Sequence, residues 1–154
     1  MNIVDFISGD AIISSLRAAT KEQALTELAK RAVGLSGRSE SEIFAALMER
    51  EALGSTGFGG GIAIPHAKLK GIDRIYGLLA RLERPIEFQA IDGQPVDLMC
   101  LLLAPANGNA DHLKALACVS RFLRDPVISG KLRHGKTAAD LFAVLTASKP
   151  GSTP

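Results

Sequence analysis

From Leu98 to Ala104 the chain reads Leu-Met-Cys-Leu-Leu-Leu-Ala, an apolar run in which odd and even positions are equally hydrophobic. Successive side chains of a strand point to opposite faces, so this run predicts a strand, over residues 96–104, with both faces buried. A central strand of that kind needs other elements above and below it. The rest of the chain supplies them in alternation.

Thr20 followed by Gln23 is a capping-box signal, and Ala24, Leu25, Leu28, Ala32 and Val33 then recur at helical spacing up to Gly34. A first helix is expected over 21–33. Ser39 and Glu42 repeat the signal ahead of Ile43, Phe44, Leu47 and Met48, with Gly54 as the stop, which places Arg50 near the end of a second helix. Residues 62–66 and 75–82 read as further strands, and 11–16 as another.

A third helix is expected after Asn107-Gly108-Asn109, with Asn109 as its cap and Leu113, Leu116, Ala117, Ser120 and Leu123 as its apolar marks. Pro126 opens a short helical piece, and Thr137 caps a last helix carrying Leu141, Phe142 and Leu145. Strands interspersed with helices predict an α/β fold: one domain, with a mixed parallel and antiparallel sheet covered by helices. Its expected extent is 1–148, followed by a flexible tail, 149–154, of Lys-Pro-Gly-Ser-Thr-Pro.

Composition narrows the function classes. Apolar residues make up 47% of the 154, yet no uncharged run approaches the ~20 residues that a membrane helix needs. The first ten residues carry acidic groups and no basic stretch, so neither a secretory signal nor a transit peptide is expected, and the expected location is cytoplasmic. Lys and Arg number 18 against 16 acidic residues, with one Tyr and no Trp, which argues against nucleic-acid binding. Cys100 and Cys118 lie in apolar segments without CxxC spacing and read as buried, reduced thiols.

The stretch richest in chemistry runs from Arg50 to His66. Five glycines between Gly54 and Gly61 lead into Ile-Ala-Ile-Pro-His. No Lys-Ser/Thr pair closes this loop as a P-loop, and Ile62 or Ile64 occupies the last small position that a dinucleotide fingerprint requires. What remains is an amide-rich loop, with the hydroxyls of Ser55 and Thr56 and the small Gly57, that could hold an oxyanion beside an imidazole. Pro65 restricts both its own φ and that of Ile64, so His66 leaves in a constrained direction.

A neutral histidine near pH 7 offers one unprotonated nitrogen as a nucleophile while the other keeps its proton. The residues alone also allow His66 to be a structural histidine at a strand end. His112, in the first turn of the third helix, projects toward Leu116, Val119 and Leu123 and is either a core histidine or a second functional one. Arg50 lies within the apolar arc of Ile43 and Leu47, and its fork of donors suits a phosphoryl group, although an Arg there can also snorkel or pair with a Glu. His134, among basic residues, reads as a solvated helix end.

Taken together, Glu49-Arg50-Glu51, Gly54-Ser-Thr-Gly57, Gly61-Ile-Ala-Ile-Pro-His66 and Asp111-His-Leu113 resemble the IIA proteins of the bacterial phosphotransferase system, mannitol/fructose type, over nearly the whole chain. The likeness is greatest to stand-alone nitrogen-regulatory IIA proteins, with no attached IIB, IIC or phosphocarrier domain expected. The resemblance implies a phosphohistidine at His66, formed through the ring nitrogen remote from the backbone, with a histidine phosphocarrier protein as donor. It implies supporting roles for His112 and Arg50; Ser55, Thr56 and Gly57 are expected as the phosphoryl-binding loop, and neither cofactor nor metal is expected. The implied output is regulation of nitrogen, potassium or carbon metabolism through target proteins. The alternative within the family is a sugar-transport component that passes phosphate to a IIB domain. An alternative of another class is a zinc site of His66, His112 and Asp111, for which no HExxH-type spacing exists.

Overall fold

The computed structural model describes residues 1–147, so the expected tail at 149–154 lies outside the described residues. After a short 3-10 turn at Ile3–Asp5 the elements follow as β1 (Ile12–Leu16), α1 (Lys21–Ser36), α2 (Glu40–Ala52), β2 (Gly57–Gly59), β3 (Ile62–Ala63), β4 (His66–Leu69), β5 (Tyr76–Ile86), β6 (Val96–Pro105), α3 (Asn109–Arg124), α4 (Pro126–His134) and α5 (Ala138–Ala147). The six strands form one mixed sheet in the order β1-β5-β6-β3-β2, with β4 also on β6. β1 runs parallel to β5, β5 antiparallel to β6, and β3 and β4 both parallel to β6.

The apolar run at 98–104 occupies the centre of this sheet as β6, and every residue from Leu98 to Ala104 is buried. Burial of both odd and even positions requires cover on both faces. It comes from α1 on β5, α2 on β4, α3 on β6 and α5 on β1. Each fully buried Leu of the run contributes on the order of 2 kcal/mol of transfer free energy.

The caps hold the helices where the sequence put them, with two exceptions. Thr20 Oγ1 accepts from Gln23 N–H and Ser39 Oγ from Glu42 N–H. Asp125 caps α4 ahead of Pro126, and Thr137 caps α5 through Asp140 N–H. Gly34 does not stop α1, which continues to Ser36 and ends at Gly37, in the left-handed conformation with φ 74°. Gly34 keeps an ordinary helical φ and costs only some propensity, whereas Gly37 alone supplies the positive φ of a C-terminal cap. At α3 the N-cap position is held by Gly108, so the helix begins at Asn109 rather than after it.

The strand expected over 62–66 is interrupted. β3 ends at Ala63 and β4 begins at His66, because Pro65 has no N–H to give the ladder. Pairing with β6 nevertheless keeps one register across the gap: Ile62 faces Leu98, Ala63 faces Met99 and His66 faces Leu102. Leu102 N–H donates to the Pro65 carbonyl at 2.9 Å and bridges the interruption. His66 therefore opens a strand instead of closing one, and its backbone is tied to the central strand.

Candidate functional site

Arg50 reaches His66 because α2 packs on β4 with its last turn beside the start of that strand. Arg50 Nη1 donates to the Gly54 carbonyl at 2.9 Å, which splints the side chain, and Nε donates to His66 Nε2 at 3.2 Å. On the opposite edge of the ring, His66 Nδ1 donates to the Ile64 carbonyl at 2.8 Å. A carbonyl only accepts and a guanidinium only donates, so the proton sits on Nδ1 and the lone pair on Nε2. Both ring nitrogens are thereby assigned by their partners. Burial pushes the His66 pKa below its usual value; the Ile64 bond opposes this, the Arg50 charge reinforces it, and Glu51 opposes it more weakly.

α3 brings the second imidazole. The His112 ring centroid is 5.4 Å from that of His66, at an interplanar angle of 70°. His112 is 7% exposed, and its Nε2 is buried without a hydrogen-bond partner among the described residues. Leaving a buried polar nitrogen unmatched costs about 1–3 kcal/mol, so this atom keeps its hydrogen-bonding capacity unspent beside the His66 ring. Burial also lowers the His112 pKa, helped by the charges of His66 and Lys68. Two neutral imidazoles thus face one another beside a guanidinium.

The groove over these groups has a volume of about 420 Å³. Besides Arg50, His66 and His112 it is lined by Ala46, Glu49, Leu53, Ala67, Lys68, Leu113 and Leu116. Leu53 is 83% exposed and Leu113 67%, an unusual state for leucines that rim a polar centre. Here the expected stripe of α3 is corrected. His112, Ala115, Val119 and Leu123 form its buried face, while Leu113 and Ala117 turn outward. Periodicity at 3.6 residues tolerates either arc when both carry leucines, and packing on β6 buries the arc that holds His112, Ala115, Val119 and Leu123. Leu53, Leu113 and Lys68 line the groove without having been expected there; in the sequence Leu113 stands only as an apolar mark of α3 and Leu53 as a leucine just past α2.

Ser55, Thr56 and Gly57 do not line the groove. Ser55 Oγ donates to the Phe88 carbonyl at 3.1 Å and accepts from Gly57 N–H at 3.1 Å. Thr56 is buried, and both its N–H and its hydroxyl donate to the Glu51 carboxylate. The glycine-rich stretch is a pinned hairpin: Gly60 N–H donates to Asp92 at 3.0 Å, and Arg133 donates to the Gly60 carbonyl at 2.7 Å while pairing with Asp97 at 2.9 Å. Gly61 has φ 79°, and a Cβ there would stand 2.7 Å from Arg133 Nη2. At Gly57 a Cβ would press on Ala90 at 3.0 Å. These glycines serve close packing around the hairpin.

His134 is exposed at the end of α4, outside the groove, with Nδ1 on the Gly130 carbonyl at 2.7 Å. Cys100 and Cys118 are buried free thiols, and burial raises Cys100 to about 12. Asp111 is exposed, and among the described residues no group of three His, Cys, Asp or Glu gathers in a metal-holding arrangement. Among the same residues no helix is long and apolar enough to cross a membrane.

Residues 5–148 match the family described as "Phosphoenolpyruvate-dependent sugar phosphotransferase system, EIIA 2". A nitrogen regulatory protein of Bradyrhizobium diazoefficiens is 50% identical over 145 residues, which are 94% of this chain and 95% of that protein. The crystal structure of the nitrogen regulatory protein IIA-Ntr from Neisseria meningitidis superposes with a TM-score of 0.87 at 31% identity, covering 93% of this chain and 98% of the other. The fold alone is shared with the mannitol IIA of Escherichia coli, solved in complex with phosphorylated enzyme IIB (TM-score 0.76, 20% identity, 90% and 95% covered).

Proposed function

We propose that this chain, which belongs to the phosphoenolpyruvate-dependent sugar phosphotransferase system EIIA 2 family, takes a phosphoryl group onto Nε2 of His66 and acts chiefly as a regulatory phosphocarrier. The observation that carries the reading is the pair of contacts on the two edges of one ring: Nδ1–H on the Ile64 carbonyl, and Nε2, with its lone pair, under Arg50. A histidine so held is a nucleophile with one available atom.

In the step itself the Nε2 lone pair forms a bond to the phosphorus of an N-phosphohistidine on the donor. The donor's P–N bond breaks and its electron pair returns to the donor ring. No net proton is required, because His66 keeps the proton on Nδ1 throughout. Arg50, released from Nε2 by the new bond, is within reach of the phosphoryl oxygens, where a planar fork of donors is most effective. The unpartnered Nε2 of His112 is the second group for those oxygens, donating in the tautomer that protonates it.

The donor in this reading is a histidine phosphocarrier protein that docks over the groove in the cytoplasm, with exposed Leu53 and Leu113 as apolar contacts around the ring. Likeness to nitrogen regulatory proteins over nearly the full chain favours a regulatory output over sugar transport. The targets then read the phosphorylation state of His66 through the charge it adds, roughly two units, to this groove. The test is to expose wild type and His66→Ala to phosphorylated phosphocarrier. Wild type should acquire an acid-labile, base-stable label and the variant none; equal labelling of both would end the reading. Baits in the two states should then capture different proteins, and capture of a single sugar-specific IIB protein would favour the transport alternative.

A further inference from the structure

Glu51 follows Arg50 in sequence and is the one carboxylate that is buried among the described residues, its side chain 4% exposed. A charge so placed needs a cation and hydrogen bonds. Lys21 supplies the first, with Nζ 2.7 Å from Oε2 and 4.6 Å from the centre of the Phe88 ring. Thr56 supplies the second: its N–H lies 3.2 Å from both carboxylate oxygens, and its hydroxyl donates to Oε1.

Burying an ion pair is a poor route to stability, since desolvation offsets most of the attraction. What this pair does is hold Thr56, and Thr56 is the first link of a short chain. The Thr56 carbonyl accepts from Ile64 N–H at 3.1 Å. The Ile64 carbonyl accepts from His66 Nδ1 at 2.8 Å. Ile64 is buried, so its peptide groups have few other partners within reach. Consecutive residues of α2 thus act on opposite edges of one ring. Arg50 touches Nε2 directly, and Glu51 reaches Nδ1 through Thr56 and Ile64.

We propose that Glu51, with its counter-ion Lys21, is a positioning residue that fixes the orientation and tautomer of His66 through Thr56 and Ile64. The proposal rests on His66 as phosphoryl acceptor for its functional consequence, although its structural part stands alone. It also gives Ser55-Thr56-Gly57 a different task from binding the phosphoryl group, namely to carry the position of a buried carboxylate to the carbonyl that holds the ring.

The test reads the His66 ring nitrogens by ¹⁵N NMR in the unphosphorylated protein, at a pH where imidazole is neutral, for wild type, Glu51→Gln, Thr56→Val and Thr56→Ser. Wild type and Thr56→Ser, which keeps the hydroxyl, should hold the proton on Nδ1. Glu51→Gln and Thr56→Val should show a mixture with the Nε2–H form, and should accept the phosphoryl group about tenfold more slowly, as small misplacements of a reacting group do. Should Glu51→Gln fail to fold, the two Thr56 variants decide, since both leave the ion pair intact. A pure Nδ1–H tautomer in Thr56→Val, or a transfer rate equal to wild type, overturns the proposal. If wild type itself takes no label on His66, the acceptor reading fails instead, and the tautomer comparison still shows whether Glu51 sets the ring.

Discussion

Arg50 and His66 meet at the atom that the proposed chemistry uses: the guanidinium Nε–H points at Nε2, 3.2 Å away, while a second arm of the same side chain rests on the Gly54 carbonyl. The contact does two things before any phosphoryl group arrives. It keeps the lone pair on Nε2, and it disfavours a positive ring. Arg50→Ala should therefore lower the transfer rate by about 10²–10³, the usual loss when a preorganised donor is removed from developing charge. Stability should fall by only about 1 kcal/mol, the net value of a typical hydrogen bond. A transfer time course beside a thermal melt checks both; equal losses, with normal transfer in the folded fraction, would make Arg50 structural.

Protonation gives a second test, with a definite sign. Burial holds both His66 and His112 below the ordinary imidazole value, so each ring stays neutral in the fold at a pH where the unfolded chain already binds a proton. The stability they contribute is present above pH ~6.5 and is lost as the pH falls through their lowered folded values. Phosphoryl acceptance should stay level through neutrality and decline only below pH ~6.5. In Arg50→Ala the inflection should move upward, since a cation that disfavours protonation is gone. Ring-proton NMR titration checks this, and an inflection above the ordinary value in wild type would contradict it.

The unmatched Nε2 of His112 predicts a trade between function and stability. His112→Leu removes the orphan and should leave the fold as stable as wild type or up to about 1 kcal/mol more so. The same change should slow phosphoryl acceptance, while His112→Gln, whose amide can donate, should retain more of it. Labelling kinetics of the two variants, with denaturation midpoints alongside, decide the matter. If both match wild-type rates, His112 is a core histidine.

Much of this arrangement was legible in the chain before it was folded. The run at 98–104 announced a doubly covered central strand because no other secondary structure buries seven consecutive apolar residues so simply. Thr20, Ser39, Pro126 and Thr137 marked helix starts because caps are local chemistry. Pro65 marks the approach to His66, and its missing N–H splits the strand, so His66 stands at a beginning.

What local chemistry could not reveal were relationships closed by the fold. Lys21, Glu51 and Ile64 meet around Thr56 only once α1, α2 and the hairpin have docked. Leu113 looked like core because helical periodicity leaves the phase of a leucine-rich helix open. Packing on β6 settled that phase in favour of His112 and Ala115.

The exposed leucines at the rim supply a further prediction. Leu53→Asp and Leu113→Asp should raise the KM for the phosphorylated donor by about tenfold, as loss of an apolar contact of 1–2 kcal/mol does, with little change in kcat. Their exposure means that melting temperature should hardly move. An unchanged KM in both would take the donor away from this face.

The most direct test asks which atom carries the phosphorus. With ¹⁵N-labelled histidine, the phosphorylated protein should show ³¹P–¹⁵N coupling to Nε2 of His66, while Nδ1 of the same ring keeps the shift of a protonated nitrogen bonded to the Ile64 carbonyl. Coupling to Nδ1 of His66, to either nitrogen of His112, or phosphorus found on Ser55 would contradict the account.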